Sequence, residues 1–110
     1  MYDSTFTPKG PTVVVTTTAV QVPPTTVSDV ITGYRVRCLS SGYLGWGFSS
    51  STSAPSISTT APVAGTPGTN ILGMTATTVE SFCIVEGNTN TVWFQSSVAN
   101  GFEVTPGEGL

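Results

Sequence analysis

The sequence contains no histidine, and only 8% of its 110 residues are charged. Its basic residues are Lys9, Arg35 and Arg37. Without an imidazole, one chain cannot form a Ser–His–Asp or Cys–His catalytic arrangement. Three cations also do not supply the positive charge that neutralises nucleic-acid phosphates or holds a protein on an anionic membrane. We therefore expect a protein that is not an enzyme and binds neither nucleic acid nor membranes.

Cysteines are few as well. Cys38 and Cys83 are separated by 44 residues, and two cysteines without a histidine do not complete a metal site. We accordingly expect no metal and no cofactor. Two buried thiols are the simplest interpretation in a reducing cytosol. A disulfide is the alternative, and it requires Cα atoms within about 7 Å of each other.

The acidic residues are scattered along the chain, too far apart for a calcium-binding loop. Glu80 and Glu103 lie on predicted strands and are the pair that could meet as the two carboxylates of a glycosidase do. Solvated surface carboxylates are the more ordinary interpretation of these acids in a small domain.

Long hydrophobic runs are missing too. No apolar stretch approaches the roughly 20 residues of a membrane-spanning helix, and the first eleven residues lack the basic and apolar regions of a signal peptide. We expect a protein that stays where it is made, or leaves as part of something larger.

Hydroxyl groups and β-branched residues are what the sequence has in abundance, including 20 threonines and 13 serines. Threonine and valine fit the pleated surface of a sheet, and about seven short segments of this kind are separated by turn residues. We predict a single-domain, all-β fold, either an antiparallel β-sandwich or a jelly-roll-like barrel.

Individual strands follow from the alternation of apolar and polar residues. In 31–40, Tyr34, Val36 and Cys38 share one face, and Arg35 and Arg37 share the other. We also predict one long strand over 11–22, ended by Pro23, and a short helical turn within 25–32. Further along the chain, 79–85 and 91–98 are predicted to form a hairpin. A turn at 100–101, a last short strand over 102–105 and a terminal turn over 106–110 complete the prediction.

The stretch "GYLGWGFSSS" (42–51) alternates bulky residues with glycines. Leu44, Trp46 and Phe48 would share one face of a strand, opposite Gly45 and Gly47. An apolar face opposite a bare one indicates a strand that packs inward while its glycines meet another backbone. The alternative is an exposed aromatic platform that stacks on a sugar.

The Ser-, Thr- and Pro-rich segment at about 51–70 follows, and we predict a long loop with one short strand around Ile57. At the other end, residues 1–11 contain Tyr2 and Phe6 ahead of Pro8. They form either a frayed terminus or an N-terminal arm that adds a strand or an aromatic anchor to a neighbour. The compact domain would then span 12–110.

Arg35 and Arg37 have two interpretations. They form either an exposed polar face or a contact with an acidic neighbouring subunit, for which the planar guanidinium is suited. The candidate residues for a protein interface are Tyr2, Phe6, Arg35, Arg37, Trp46 and Trp93.

Residues 31–110 resemble capsid decoration (cement) proteins of tailed bacteriophages. The resemblance is carried by two stretches, "YRVRCLSSGYLGWGFSS" and "VESFCIVEGNTNTVWFQSSVANGFEVTPGEGL". The resemblance implies a β-sandwich or jelly-roll domain on the outer surface of the virion capsid, assembled in the host cytoplasm. It further implies a homodimer or homotrimer that clamps neighbouring copies of the major capsid protein. The alternatives are a carbohydrate- or host-receptor-binding β-sandwich module on the virion, or a head–tail or tail structural component.

Overall fold

The computed structural model describes residues 6–24, 31–49, 53–65, 70–83 and 91–108, which contain strands and no helix. Two antiparallel sheets pack face to face, so the predicted all-β sandwich is confirmed. The strands in chain order are β1 (Thr7–Pro8), β2 (Val13–Val15), β3 (Val20–Val22), β4 (Gly33–Cys38), β5 (Gly42–Ser49), β6 (Ile71–Met74), β7 (Val79–Cys83), β8 (Thr91–Ser96) and β9 (Phe102–Glu108).

One sheet has five strands and the other has four. In the five-stranded sheet the order is β1-β9-β4-β7, and β2 also pairs with β9. In the four-stranded sheet the order is β3-β8-β5-β6. The central strands are therefore β4 and β9 in one layer and β5 and β8 in the other, and each layer has β6 or β7 at one edge.

The core lies between the two layers and follows the predicted alternation of β4. Tyr34, Val36 and Cys38 are buried, while Arg35 and Arg37 are exposed. The opposite layer supplies Phe94, whose ring meets Tyr34 edge-on with centroids 5.3 Å apart. Burial disfavours the charged phenolate and raises the pKa of Tyr34 to about 12. The other fully buried side chains include Val15, Val22, Leu44, Phe102 and Val104.

The predicted single strand over 11–22 is wrong. Its residues form β2 and β3, which belong to different sheets. Thr16 lies in the crossing, where its carbonyl accepts a hydrogen bond from Ser96 N and its hydroxyl accepts one from Asn100 N. Val15 and Val22 are both fully buried, because they face the same core from opposite layers. Alternation alone cannot distinguish this crossing from a continuous strand.

The predicted hairpin of 79–85 with 91–98 is also wrong. Strand β7 pairs with β4 in the five-stranded sheet, and β8 lies between β3 and β5 in the four-stranded sheet. The two segments therefore belong to opposite layers. Both segments alternate between apolar and polar residues because each strand turns one face to the core. This alternation identifies a strand but does not show which strand lies beside it. Residues 84–90, including the predicted turn, lie outside the described residues.

The chain end differs from its prediction as well. The turn at Asn100 and Gly101 is present, with φ of 51° at Asn100, but it joins two sheets. Strand β9 then continues to Glu108 through Pro106, where a terminal turn was predicted. Pro106 is tolerated because its backbone N and C=O point away from β4, toward the position where β9 changes partner from β1 to β2. There its carbonyl accepts a bond from Lys9 N, and no ladder bond requires its missing N–H.

The helical turn predicted within 25–32 falls mostly on residues outside the described ones.

The glycines of β5 meet another part of the backbone, as the sequence predicted. A Cβ on Gly45 would collide with the carbonyl of Ser58 and lie 2.8 Å from Ile57 Cγ2. A Cβ on Gly47 would lie 3.1 Å from Pro55 Cγ. Residues 53–60, which we call the strap, therefore cover the side of β5 that faces away from the core. The strap contains no strand, so the short strand predicted around Ile57 is wrong.

We expect Gly45→Ala to lower the free energy of unfolding by about 1–3 kcal/mol, because the new methyl group meets the strap backbone and overpacks the contact. Urea unfolding followed by tryptophan fluorescence measures this change. Gly47→Ala is the matched comparison, and we expect a smaller loss because its nearest neighbour is a proline side chain. Equal stability of Gly45→Ala and the wild type would contradict the described position of the strap.

Candidate functional site

The outward-facing sides of the two sheets differ in what covers them. On the four-stranded sheet, the strap lies over β5, and Trp93 is only 8% exposed. On the five-stranded sheet, the described side chains that point away from the core are exposed or half-buried, except at the β1 end, where Phe6 packs over Gly107. We call this side of the five-stranded sheet the open face.

The strand register assembles the open face into rows. Val14 pairs with Glu103, Glu103 pairs with Arg37, and Arg37 pairs with Val79. This row crosses β2, β9, β4 and β7 in turn. Both of its ends are apolar and open to solvent, since Val14 is 49% exposed and Val79 is 46% exposed.

A second row lies beside the first and consists mainly of hydroxyl groups. Arg35 pairs with Thr105 on one side and with Ser81 on the other. Thr12 extends the row, because its hydroxyl lies 2.7 Å from the hydroxyl of Thr105. The open face thus combines two arginines, one carboxylate, hydroxyls and two exposed valines.

The charged side chains divide into paired and unpaired groups. Arg37 Nη1 lies 3.5 Å from Glu103 Oε1, and Lys9 Nζ lies 3.4 Å from Glu108 Oε1. Exposed pairs of this kind contribute at most about 1 kcal/mol each. Arg35 forms no ion pair with any residue in the described part of the chain. It is therefore the cation of the open face that is available to a partner.

The six interface candidates from the sequence do not lie together. Tyr2 lies outside the described residues. Phe6 is only 8% exposed, and its ring packs where Gly107 of the same chain has no side chain. Residues 7–8 also pair with β9 of their own chain. In the single chain, this part of the predicted arm contacts its own domain.

The two tryptophans occupy different sides of the four-stranded sheet. Trp46 points inward and packs against the core while partly exposed. Trp93 points outward yet is buried, and its Nε1 has no hydrogen-bond partner among the described residues. Neither ring is fully exposed on the surface. Arg35 and Arg37 are thus the candidates that the structure brings together on an exposed surface.

The hypothetical carboxylate pair does not form. Glu103 pairs with Arg37 on the open face, whereas Glu80 pairs with Val36, whose side chain points into the core. The two acids therefore lie on opposite faces of one sheet. Within the residues described, no three His, Cys, Asp or Glu side chains are grouped as a metal site. The same residues include no helix that is long and apolar enough to cross a membrane.

The open question of the cysteines is settled by the register. Cys83 pairs with Gly33, which lies five residues before Cys38 on β4. At roughly 3.3 Å per residue, this separates the two Cα atoms by about 16 Å, far beyond the reach of a disulfide. Cys38 is a free, buried thiol that donates a hydrogen bond to Ser40 O at 3.2 Å. Its burial raises its pKa.

A cleft that sequence reasoning missed opens at the edge formed by β6 and β7. Its volume is about 720 Å³, and its lining residues are Ser41, Gly42, Tyr43, Gly73, Met74, Thr75, Thr78 and Glu80. Glu80 was the one signal of this cleft in the sequence, because it is a charged residue at a position of β7 that faces the core side of the sheet. Val14 and Val79 were missed because exposed and buried valines have the same sequence pattern.

Comparison with known proteins identifies no relative: no family model, curated protein or solved structure matches the chain. The site must therefore be interpreted from its own geometry.

We expect Cys38 to resist alkylation in the folded protein, because the thiolate is the reactive form and burial raises the pKa of this thiol. In a Cys83→Ser variant, iodoacetamide should label Cys38 about tenfold more slowly in buffer than in urea. Mass spectrometry measures the rate. Equal rates in both conditions, or a disulfide between Cys38 and Cys83 in the unreduced wild type, would contradict the described packing.

Proposed function

We propose that this protein is a structural component of a virus particle, a capsid decoration protein that stabilises the shell by contact with neighbouring major capsid proteins. The observation that carries the proposal is the open face: most of one side of the sandwich is exposed, and it combines Val14 and Val79 with Arg35, which has no ion-pair partner among the described residues. The resemblance of residues 31–110 to phage decoration proteins supports the same function.

The chemistry of the open face suits docking to another protein. Exposed valines gain roughly 25 cal/mol for each Å² of apolar surface removed from water. In the Thr12–Thr105 pair one hydroxyl already donates to the other, so burial of the pair leaves one O–H fewer without a partner. Arg35 fixes the orientation of the contact, because its planar guanidinium binds a carboxylate through two hydrogen bonds. We accordingly propose that the contacted shell surface is acidic and partly apolar.

The stabilising effect follows from mass action. A protein that binds the assembled lattice, and not the separated subunits, shifts the equilibrium toward the intact shell by its binding free energy. Contact with two neighbouring subunits makes the second contact intramolecular, which raises the overall affinity without new types of contact. A homodimer or homotrimer would increase this gain further.

The experiment that tests the proposal measures binding to capsids. Particles that lack this protein are mixed with the purified chain, and co-sedimentation and the capsid melting temperature are recorded. We expect saturable binding and a higher melting temperature. For the double variant Val14→Asp and Val79→Asp, we expect at least about tenfold weaker binding, because two charges replace the apolar ends of the row.

Val63→Asp is the matched control, because Val63 is 67% exposed and belongs to none of the nine strands. Its binding should equal that of the wild type. The melting temperature of each free variant establishes that the fold is intact. Equal loss of binding in the control and the double variant, or no binding by the wild type, would refute the proposal.

A further inference from the structure

The cleft at the β6–β7 edge is preformed by bonds between chain segments. Ala76 N donates to Ser41 Oγ at 2.9 Å, which joins the β6–β7 connection to the β4–β5 connection. Thr77 N donates to Cys38 O at 2.8 Å, and Cys38 N donates to Thr78 O at 2.9 Å. The volume of about 720 Å³ lies within the range of roughly 300–1,000 Å³ that is typical of ligand sites.

Glu80 gives the cleft a negative charge that the chain's own basic side chains do not neutralise. Lys9 and Arg37 are paired with Glu108 and Glu103. Arg35 lies on the open face, whereas Glu80 pairs with Val36 and points to the other side of the same sheet. Because the sequence has only three basic residues and none of them pairs with Glu80, a lysine or arginine side chain that does so must come from another molecule.

The hydroxyl groups around Glu80 favour a ligand that donates hydrogen bonds. Thr78 Oγ1 donates its hydrogen to Thr75 O at 2.7 Å, so its lone pairs remain to accept. Ser41 Oγ accepts one bond from Ala76 N and retains a second lone pair. Guanidinium has five donors and no acceptor, and therefore matches this set.

The rest of the lining suits the stem and the planar head of such a ligand. The Tyr43 ring lies across Gly73, where a Cβ would be only 2.9 Å from Tyr43 Cε2. Met74 adds a flexible thioether to the wall. A guanidinium that stacks on an aromatic ring and pairs with a carboxylate uses two favourable contacts at once.

We propose that this cleft binds an arginine side chain of a partner protein, with the guanidinium paired to Glu80 and placed beside Tyr43. The site is separate from the open face, so the protein offers a cation on one surface and an anion on another. Since the site requires only the isolated chain, its test is independent of the capsid proposal, and failure of either is distinguishable from failure of the other.

The experiment titrates the isotope-labelled protein with Nα-acetylarginine methylamide and follows the backbone amide shifts by NMR. We expect saturable shifts at cleft residues, including Gly73, Thr75 and Thr78, with a dissociation constant in the millimolar range. The uncharged analogue, Nα-acetylcitrulline methylamide, has the same length and should bind about fivefold more weakly, since one exposed ion pair is worth up to about 1 kcal/mol.

Two variants assign the effect to Glu80. Glu80→Gln keeps the shape of the side chain and should weaken binding of the arginine probe by about fivefold. Glu103→Gln removes a carboxylate on the open face and should leave binding unchanged. Equal affinity for both probes, full affinity of Glu80→Gln, or shifts that map outside the cleft would each overturn the proposal.

A second role for Glu80 predicts a different outcome. An inward-pointing charge on an edge strand discourages pairing with another strand, and Glu80 lies on the edge strand β7. If this is its only role, Glu80→Gln will self-associate in sedimentation velocity while its affinity for the arginine probe is unchanged. That result would also overturn the proposed site.

Discussion

The packing of two sheets against a single apolar layer is the constraint on which the rest of the structure depends. Val36 and Val104 on one sheet, and Leu44 and Phe94 on the other, are fully buried. With so few ions available, this burial has to supply most of the favourable free energy. The outward faces therefore carry what remains, namely hydroxyls, glycines, a few valines and the scarce charges.

The two outward faces then serve different purposes. Glycines on β5 let the strap lie directly on the four-stranded sheet, so the chain itself covers part of that face. The five-stranded sheet keeps its open face, with Arg35 near its middle. Because neighbouring residues of a strand point to opposite sides, Arg35 and Glu80 lie on adjacent strands of one sheet yet cannot meet. The domain therefore carries opposite charges on two separate surfaces.

Much of the fold follows from local pattern, and the failures have a common cause. The sequence correctly predicted the alternation of β4 and the bare glycine side of β5, because each depends on residues within one strand. It failed for 11–22 and for the supposed hairpin, because a sandwich shares one core between two layers. An inward residue has the same neighbours in sequence whichever layer holds it.

The site was less predictable than the fold for a similar reason. The exposure of Arg35 could be anticipated from its alternation with buried residues. That Arg35 has no ion pair with the described acids depends instead on the register, which places Glu103 beside Arg37. The cleft arises where two connections that each cross between the sheets meet at Ser41 and Ala76, which are 35 positions apart in sequence. No local pattern encodes such a meeting.

The central claim is that the open face is the surface through which the protein acts. A cryo-electron microscopy reconstruction of the virus particle that contains this chain tests it most directly. The account predicts many copies of the sandwich on the outside of the shell, with β4 and β9 facing the major capsid protein and the strap facing solvent. Particles without the chain, or a domain that contacts the shell through the strap, would contradict it.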